Sequence, residues 1–356
     1  MSTDITRFLS SIILSLTITA ATCSASAQNN THVPVIRSST SSLLDEKLEY
    51  YRHLYPEISF LNLKGGDELV TDMMILVKAL GDEPSSSDYE HPETLREELM
   101  TASVNRILYM LQFQMPSASL FKADKPPGQG VNLCVLTIHP QVAAADSLQA
   151  TSHLLDLPDE IIERIPDNLQ LSPGDYLAYV IDHEIYHCLH SMYAGPQKMS
   201  FKKYWGEYNH FLNEQGADAY AVGMHIKNRQ KTSNFVINLQ RIRAMALFSA
   251  DPDHMTSKAI DQVINLPESK IKNMSANEVF DMAIRIKKGL TIGYDEYLKY
   301  LASAVQAMEE LGLEEIIPED LLNIAKESQS DPAQVKQYVE NSRRCLLELR
   351  ASGTDH

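Results

Sequence analysis

The chain contains 356 residues and has a formal net charge of -16 at neutral pH. This acidity argues against nucleic acid and anionic membrane surfaces as partners, because both repel a negatively charged protein. The length fits one large domain or two modest ones, so a sizeable hydrophobic core can form.

The N-terminus has the composition of a secretory signal peptide covering residues 1–27. Arg7 precedes a short apolar stretch, and Ala25-Ser26-Ala27 offers small residues at the cleavage site. The stretch is too short to cross a membrane, and no later stretch reaches about eighteen uninterrupted apolar residues. We therefore expect an exported protein, periplasmic or secreted, without an integral membrane segment after cleavage. Lipid attachment at Cys23 is the less favoured alternative, because the preceding Ala-Ala-Thr is a poor acylation signal.

The chain that follows is predicted to be mainly helical. Residues 28–42, which are polar and rich in serine and threonine, are predicted to be a disordered N-terminus of the mature protein. Apolar residues at helical spacing then predict helices at 43–55, 68–80, 93–115 and 154–164. Residues 131–138 alternate and are β-branched, which predicts the clearest strand. Because few other strand signals occur, we expect a mainly α fold with a small β-sheet (α+β).

A core helix is predicted at residues 176–193. Ser172 is placed as its N-cap, with Pro173 in the first turn and Asp175 completing a capping box. Ala194-Gly195-Pro196 marks the end of this helix. A helix that is apolar nearly all round belongs in a core. Titratable groups within it are costly unless they are paired or bind a metal.

Within this helix, His183, Glu184 and His187 form a His-Glu-x-x-His pattern. The two histidines are four positions apart, so both imidazoles project from one face within reach of a single ion. Glu184 lies beside them, where it fits the role of general base in a zinc hydrolase. The alternative is a buried helix whose histidines form hydrogen bonds with backbone carbonyl groups. His190, one turn beyond His187, is interpreted as polar surface.

A second polar group lies in a helix predicted at residues 211–227. Glu214 and Asp218 are four positions apart and share a face, and small Ala217 and Ala221 allow close packing there. A catalytic zinc takes three protein ligands, for which two histidines and a carboxylate are a standard set, so Glu214 is the predicted third ligand. Asp218 is predicted to hold a ligand histidine in its correct tautomer. An exposed acidic face is the alternative interpretation.

The two motifs together resemble the gluzincin metallopeptidases, most of all the family of the CAAX prenyl endopeptidase and its soluble periplasmic relatives. The resemblance covers about residues 131–260. It implies a gluzincin-like catalytic core that binds one Zn2+ per chain through His183, His187 and Glu214. It also implies peptide hydrolysis with Glu184 as the general base.

The same resemblance extends to two further elements. Asp253-His254-Met255 is similar to a His-Pro element of that family, with methionine in place of proline, and implies His254 as the donor to the developing oxyanion. Residues 131–138 would be the edge strand beside the active-site helix. An extended peptide could then add to this strand, with Val131, Leu133 and Val135 as substrate-binding residues.

Helix geometry predicts a break between the two motifs. A continuous helix from Met199 to Glu214 would descend more than about 20 Å and overshoot the ion, since each residue rises about 1.5 Å. We therefore expect a break near Trp205-Gly206, with residues 194–205 forming a cap or lid beside the cleft. Further oxyanion candidates are Tyr204, Tyr208 and His210, which could enter from this lid, and His225, which shares the helix face of Glu214.

Residues 261–356 are predicted to form a C-terminal helical region after a zinc metallopeptidase-like domain at 43–260. Its helices are expected at 278–288, 294–311, 319–328 and 333–350. This region either packs on the catalytic core as a scaffold or presents a surface to a protein partner. Two of the three cysteines left after export, Cys134, Cys188 and Cys345, can form a disulfide, and the sequence leaves the pair open.

These patterns predict an exported zinc endopeptidase or oligopeptidase that acts on peptides or proteins. A second hypothesis is a zinc-stabilised periplasmic binding or assembly factor with suppressed proteolytic activity, which would act through the C-terminal helices. A third is a helical protein with a coincidental motif, which predicts no bound metal. Metal content and the effect of a Glu184 substitution on peptide cleavage distinguish the three.

Overall fold

The computed structural model shows a mainly helical fold with a small three-stranded sheet, which confirms the predicted class. It describes residues 40–81, 104–112, 115–122, 132–155, 169–194, 200, 202–229, 233–244, 246, 252–289, 293–310, 312, 317, 319–337 and 339–340. The predicted signal peptide lies outside these residues, as does the predicted disordered segment except for 40–42, which are helical. Among the described helices, none combines the length and apolarity needed to cross a bilayer.

The helices observed in the described residues agree with most of the predicted ones. In chain order they are α1 (Thr40–Leu54), α2 (Leu69–Gly81), α3 (residues 104–112), α4 (Pro140–Ala143), α5 (Ser147–Leu155), α6 (Pro173–Tyr193), α7 (Trp205–Arg229), α8 (Asn234–Ala244), α9 (Ser257–Ile264), α10 (Glu268–Lys272), α11 (Ala276–Gly289), α12 (Tyr294–Glu310) and α13 (Glu319–Glu327), followed by helical residues 332–337. Residues 93–103, 156–164 and 341–350 of three predicted helices lie outside the described part of the chain.

The sheet contains β1 (Ile58–Leu63), β2 (Ala118–Phe121) and β3 (Asn132–Thr137) in the order β1-β3-β2. Strand β3 pairs in parallel with β1 and antiparallel with β2. The strand predicted at 131–138 is confirmed, but its predicted place at the edge is wrong, because β3 is paired on both sides. Its apolar, β-branched sequence instead reflects burial, and Val135 and Leu136 on opposite faces are fully buried.

Helices α6 and α7 pack together within the main hydrophobic core. A glycine permits their close approach, because a Cβ atom on Gly216 of α7 would lie 2.0 Å from Oη of Tyr186 in α6. Helix α11 approaches α7 in the same way at Gly223. Ala217 and Ala221 are fully buried. The prediction that small residues bring this helix close to another is therefore confirmed.

A disulfide joins Cys134 in β3 to Cys188 in α6, with Cα atoms 5.9 Å apart. Both cysteines are fully buried. The bond therefore ties the residue directly after His187 to the central strand of the sheet. It settles the pairing that the sequence left open, and Cys345 lies outside the described residues.

A second hydrophobic cluster joins the C-terminal helices to the start of α7. It includes Phe211 of α7, Met255, and Tyr297 and Leu301 of α12. Helix α11 belongs instead to the main core, to which it contributes Val279 and neighbouring residues. The domain boundary predicted after residue 260 therefore falls inside α9, and the main core continues through α11.

Helix α7 begins at Trp205, which confirms the predicted break ahead of Glu214. Residues 195–199 and 201 lie outside the described part of the chain, so the lid expected there stays a prediction. At the described end of that segment, the backbone N–H of Tyr204 donates a 3.3 Å hydrogen bond to Oη of Tyr294 in α12. The start of α7 is thus anchored to the C-terminal helices.

Candidate metal centre

Helix α6 carries the first motif and is buried along most of its length. Ser172 is its N-cap and Pro173 its first residue, as predicted, but the Ser172 side chain makes no capping hydrogen bond. The predicted capping box is therefore wrong. Asp175 instead forms an ion pair with Arg229, at 2.6 Å, which ties the first turn of α6 to the last turn of α7.

His183, His187 and Glu214 converge, and together they could hold a metal ion. Nε2 of His183 lies 3.3 Å from Nε2 of His187 and 2.9 Å from Oε2 of Glu214. Nε2 of His187 lies 3.4 Å from Oε1 of Glu214. The His183 and Glu214 side chains are 7% and 3% exposed, whereas His187 is 22% exposed. Two candidate ligands are therefore enclosed and one borders solvent.

The spacing of these atoms fits the coordination of one small ion. An ion bound tetrahedrally at about 2.0–2.1 Å from each ligand atom places those atoms about 3.3 Å apart. Oε2 of Glu214 is buried. His183 lies close to this oxygen, but none of the described residues forms a hydrogen bond of suitable geometry with it. Buried polar atoms are rarely left unpaired. A metal ion would account for both the short contacts and the unpaired oxygen.

Asp218 holds His183 in place, as predicted. Nδ1 of His183 donates a 2.7 Å hydrogen bond to Oδ1 of Asp218, which directs Nε2 of the ring toward the ion site. Asp218 is fully buried and also accepts hydrogen bonds from Tyr179, Thr256 and Arg243. Burial alone would raise the pKa of Asp218, but the charges of Arg243 and His183 hold it below its usual range. The carboxylate is therefore ionised and fixed from several sides.

The surroundings of His183 and His187 give the two histidines different pKa values. Burial alone would lower the pKa of His183, but its hydrogen bond with Asp218 and the nearby Glu214 carboxylate raise it to about 9. For His187, burial prevails and lowers the pKa to about 3. A metal ion that binds here must therefore displace a proton from His183, whereas His187 is ready to bind as neutral imidazole.

Glu184 lies next to His183 in α6 and is buried, with 7% exposure. Burial raises its pKa to about 7, and the positive charge of His183 only partly opposes this rise. A carboxylate with a pKa near neutrality is suited to accept and return a proton near neutral pH. Its chemistry thus fits the general base that the motif predicts.

Two further histidines, His254 and His210, also approach the carboxylate of Glu214. Nε2 of His254 lies 3.3 Å from Oε2 of Glu214, and Nε2 of His210 lies 3.6 Å from Oε1. Nδ1 of His210 lies 3.1 Å from Oδ2 of Asp253, and Oη of Tyr297 donates a hydrogen bond to Oδ1 of the same aspartate. The two histidine side chains are 27% and 44% exposed, so solvent and a substrate can reach them.

The remaining candidates have other partners. Tyr204 and Tyr208 pack against the second hydrophobic cluster. His225 forms a 2.8 Å hydrogen bond with Ser233 near the other end of α7. The interpretation of His190 as polar surface is wrong, because this residue is buried where α11 covers α6.

The predicted substrate-binding residues lie on or next to β3. Val135 is fully buried and Leu133 is half-buried, while Val131 lies outside the described residues. Because β1 and β2 occupy both edges of β3, a peptide has no free edge of this strand to pair with. In the described residues β1 and β2 each have one unpaired edge, and α6 packs against strand β2. A peptide that extends this sheet would therefore have to pair with β1 or β2, and β2 is the edge strand on which α6 packs.

Three of the residues that hold Asp218 were missed in the sequence. Tyr179 lies four positions before His183, so helical spacing indicates that the two side chains share one face of the helix. Thr256 follows His254 in a segment that the sequence did single out. Arg243 on α8 has no comparable signal, because no local pattern shows that α8 meets this part of α7.

Comparisons with protein-family models, with curated proteins and with solved structures find no match to this chain. The resemblance to gluzincins therefore depends on the motifs alone. What the structure supports directly is a largely buried group, His183, His187 and Glu214, that could hold a metal ion.

Proposed function

We propose that the chain is an exported, gluzincin-like zinc peptidase that hydrolyses peptide bonds with Glu184 as general base. The observation that carries this proposal is the convergence of three ligand atoms, at tetrahedral spacing, beside a buried glutamate. Two histidines from one helix, a carboxylate from another and an adjacent glutamate are the parts that metal-assisted hydrolysis requires.

The ligand set favours zinc over other divalent ions. Imidazole nitrogens with one carboxylate suit zinc, whereas magnesium and calcium prefer oxygen ligands. Three protein ligands leave a fourth tetrahedral position open, which is typical of a catalytic rather than a structural zinc. When bound, zinc supplies Lewis-acid polarisation of the scissile carbonyl group and eases the ionisation of water.

The side chains around this position then have separate roles. Glu184 takes a proton from the attacking water molecule and returns it to the nitrogen of the leaving amine. Its pKa of about 7, which results from burial, suits both transfers. His254 is the proposed donor to the developing oxyanion, because its ring lies beside Glu214 and His183 and borders solvent.

An extended peptide is the proposed substrate, and the open edge of β2 is its proposed docking strand. The four residues of β2 are all half-buried, as expected for a strand at the margin of a sheet. Backbone groups at a free edge can pair with an incoming peptide. Because α6 packs on β2, such a peptide would run along the helix that carries His183 and His187.

Zinc content and peptide hydrolysis test this proposal together. Purified protein is expected to bind about one zinc per chain and to cleave a mixed-sequence peptide library. Glu184→Gln should abolish cleavage while zinc stays bound, because this glutamate is not a ligand. The control Glu207→Gln removes an exposed carboxylate from α7 by the same change and should leave cleavage unaltered.

Two results would contradict the proposal in different ways. Cleavage retained by Glu184→Gln would exclude this glutamate as the base. Zinc bound by a wild-type protein that cleaves no peptide in the library would exclude the peptidase and favour the zinc-stabilised binding factor.

A further inference from the structure

A half-buried lysine, Lys287 on α11, lies close to the candidate metal centre without a carboxylate partner. Its Nζ atom donates a 2.8 Å hydrogen bond to Nε2 of His190 and another hydrogen bond to Oδ1 of Asn213. Both acceptors are uncharged groups. Within the part of the chain that the structure describes, Lys287 forms no ion pair with an aspartate or glutamate, so its charge is not neutralised locally.

The two acceptors place this amine at one end of the ligand cluster. His190 lies seven positions after His183 and three after His187, so all three project from the same face of α6. Three residues correspond to about 4.5 Å along the helix axis. Asn213 directly precedes Glu214 on α7. The ammonium group therefore lies just beyond His187, between the two helices that carry the ligands.

An unpaired cation in this position needs an explanation. Burial lowers the pKa of Lys287 to about 8, so the charged form still prevails at neutral pH. Burial also lowers the pKa of His190 to about 4, which keeps that ring neutral and able to accept the lysine hydrogen bond. Half-buried charges are unfavourable unless they are paired. An ammonium group has three donors, and the described residues occupy two of them.

We propose that Lys287, positioned by His190 and Asn213, binds a carboxylate carried by the peptide substrate close to the bond that is cleaved. This inference rests on the peptidase function proposed above. Because an extended peptide advances about 3.3–3.6 Å per residue, the carboxylate would lie one or two residues from the scissile bond. Its source is either the free C-terminus of a short peptide or an acidic side chain within a longer one.

Matched peptides separate these sources and test the inference. One series ends in a free carboxylate one or two residues after the cleaved bond, and its partners carry a C-terminal amide. A second, fully amidated series has glutamate or glutamine at the neighbouring positions. Wild-type protein should prefer the carboxylate in at least one series by about 10- to 100-fold in kcat/KM, the range for a charge-assisted hydrogen bond.

The preference should depend on this lysine and not on its neighbour. Lys287→Met should bring the carboxylate-to-amide ratio close to one, and Lys287→Arg should restore part of the preference. The control Lys288→Met removes an exposed charge from the adjacent position of α11 and should leave the ratio unaltered. A wild-type ratio near one, or an equal ratio in wild type and Lys287→Met, would overturn the inference.

A binding measurement keeps this test independent of catalysis. The zinc-loaded Glu184→Gln protein, with and without Lys287→Met, is titrated into fluorescently labelled members of the same peptide pairs, and Kd is read from fluorescence anisotropy. If no peptide is cleaved but binding of the carboxylate peptide still needs Lys287, the proposed function fails and only carboxylate binding by Lys287 stands. If peptides are cleaved and Kd does not depend on Lys287, the inference fails alone.

Discussion

Two aspartate–histidine pairs contact Glu214 through their histidines and differ in exposure. In the inner pair, the side chains of Asp218 and His183 are 0% and 7% exposed and belong to the main core. In the outer pair, those of Asp253 and His210 are 22% and 44% exposed and are held by α12. The core thus fixes the candidate ion site, whereas the C-terminal helices hold the more exposed pair beside it.

The energetics of the two pairs should differ as their surroundings do. A buried charge that loses its partner is strongly destabilising, because no solvent replaces the lost interaction. A partly exposed pair contributes little, because water and salt screen it. Substitutions in the inner pair should therefore affect stability and metal binding, and those in or beside the outer pair should affect activity.

The largest contrast is expected between Asp218→Ala and Asp253→Ala. Loss of Asp218 removes the buried carboxylate that pairs with Arg243 and His183, which should lower the free energy of unfolding by about 3–5 kcal/mol. It should also weaken zinc binding by the folded protein about 10- to 100-fold, since His183 loses its orienting partner. Loss of Asp253 should lower stability by less than about 1 kcal/mol and leave zinc affinity unaltered.

Chemical denaturation and a chelator competition titration measure both quantities for these variants. If Asp218→Ala does not fold, Asp218→Asn keeps the shape of the side chain and serves in its place. Equal effects of the two alanine substitutions on zinc affinity would remove the distinction between the inner and outer pairs.

His254→Ala tests the outer side through activity. If its ring donates to the developing oxyanion, kcat/KM should fall about 10²- to 10³-fold while zinc content and stability remain at wild-type values. The control His225→Ala removes a buried histidine that binds Ser233, and it should reduce stability without changing kcat/KM of the folded protein. A His254→Ala protein that loses zinc instead would assign this histidine to the ion.

Gly216→Ala tests how tightly α6 and α7 pack together near the inner pair. Its Cβ atom would lie 2.0 Å from Oη of the fully buried Tyr186, so this ring or the two helices must shift, at a loss of about 1–3 kcal/mol in unfolding free energy. The control Gly206→Ala, also on α7, has no atom within 4 Å of its new Cβ and should be neutral or stabilising by up to about 1 kcal/mol. Similar stabilities of the two variants in thermal unfolding would show that the helix contact can adjust.

The smallest expected effect is a pH dependence of the preference for carboxylate peptides. Burial and the nearby charge of Lys288 lower the pKa of Lys287 to about 8, with Glu214 opposing and His190 neutral. Protonated lysine binds a carboxylate, so the preference should be complete below the pKa and decline as the pH rises through it. The ratio of kcat/KM for acid and amide peptides measures this, because titration of Glu184 affects both alike.

Arginine remains charged across this range, so Lys287→Arg should keep the preference at a pH where wild type has lost it. Identical pH profiles for wild type and Lys287→Arg would contradict titration of the lysine as the cause.

The grouping of the candidate ion ligands could be predicted because their signals are local. His183 and His187 share a helix face by spacing, and helix periodicity also places Glu214 beside Asp218. The two helices could be assigned to one site because a catalytic zinc needs a third protein ligand. The break before Glu214 followed from the rise of a helix, which is a property of the backbone.

Other features depend on contacts between distant parts of the chain and could not be predicted from the sequence. The central place of β3 depends on partners at 58–63 and 118–121, both too weakly patterned to be recognised as strands. The burial of His190 requires α11, and the anchoring of Asp218 requires Arg243 on α8. In each case the residues next to it in sequence do not indicate which distant residue or element it contacts.

The central claim, that two helices bring His183, His187 and Glu214 to one ion, is tested most directly by anomalous diffraction at the zinc edge on crystals of the zinc-loaded protein. We predict a peak about 2.0–2.2 Å from Nε2 of both histidines and from a carboxylate oxygen of Glu214. A peak held by other residues, or Glu214 turned away from the two histidines, would contradict the account.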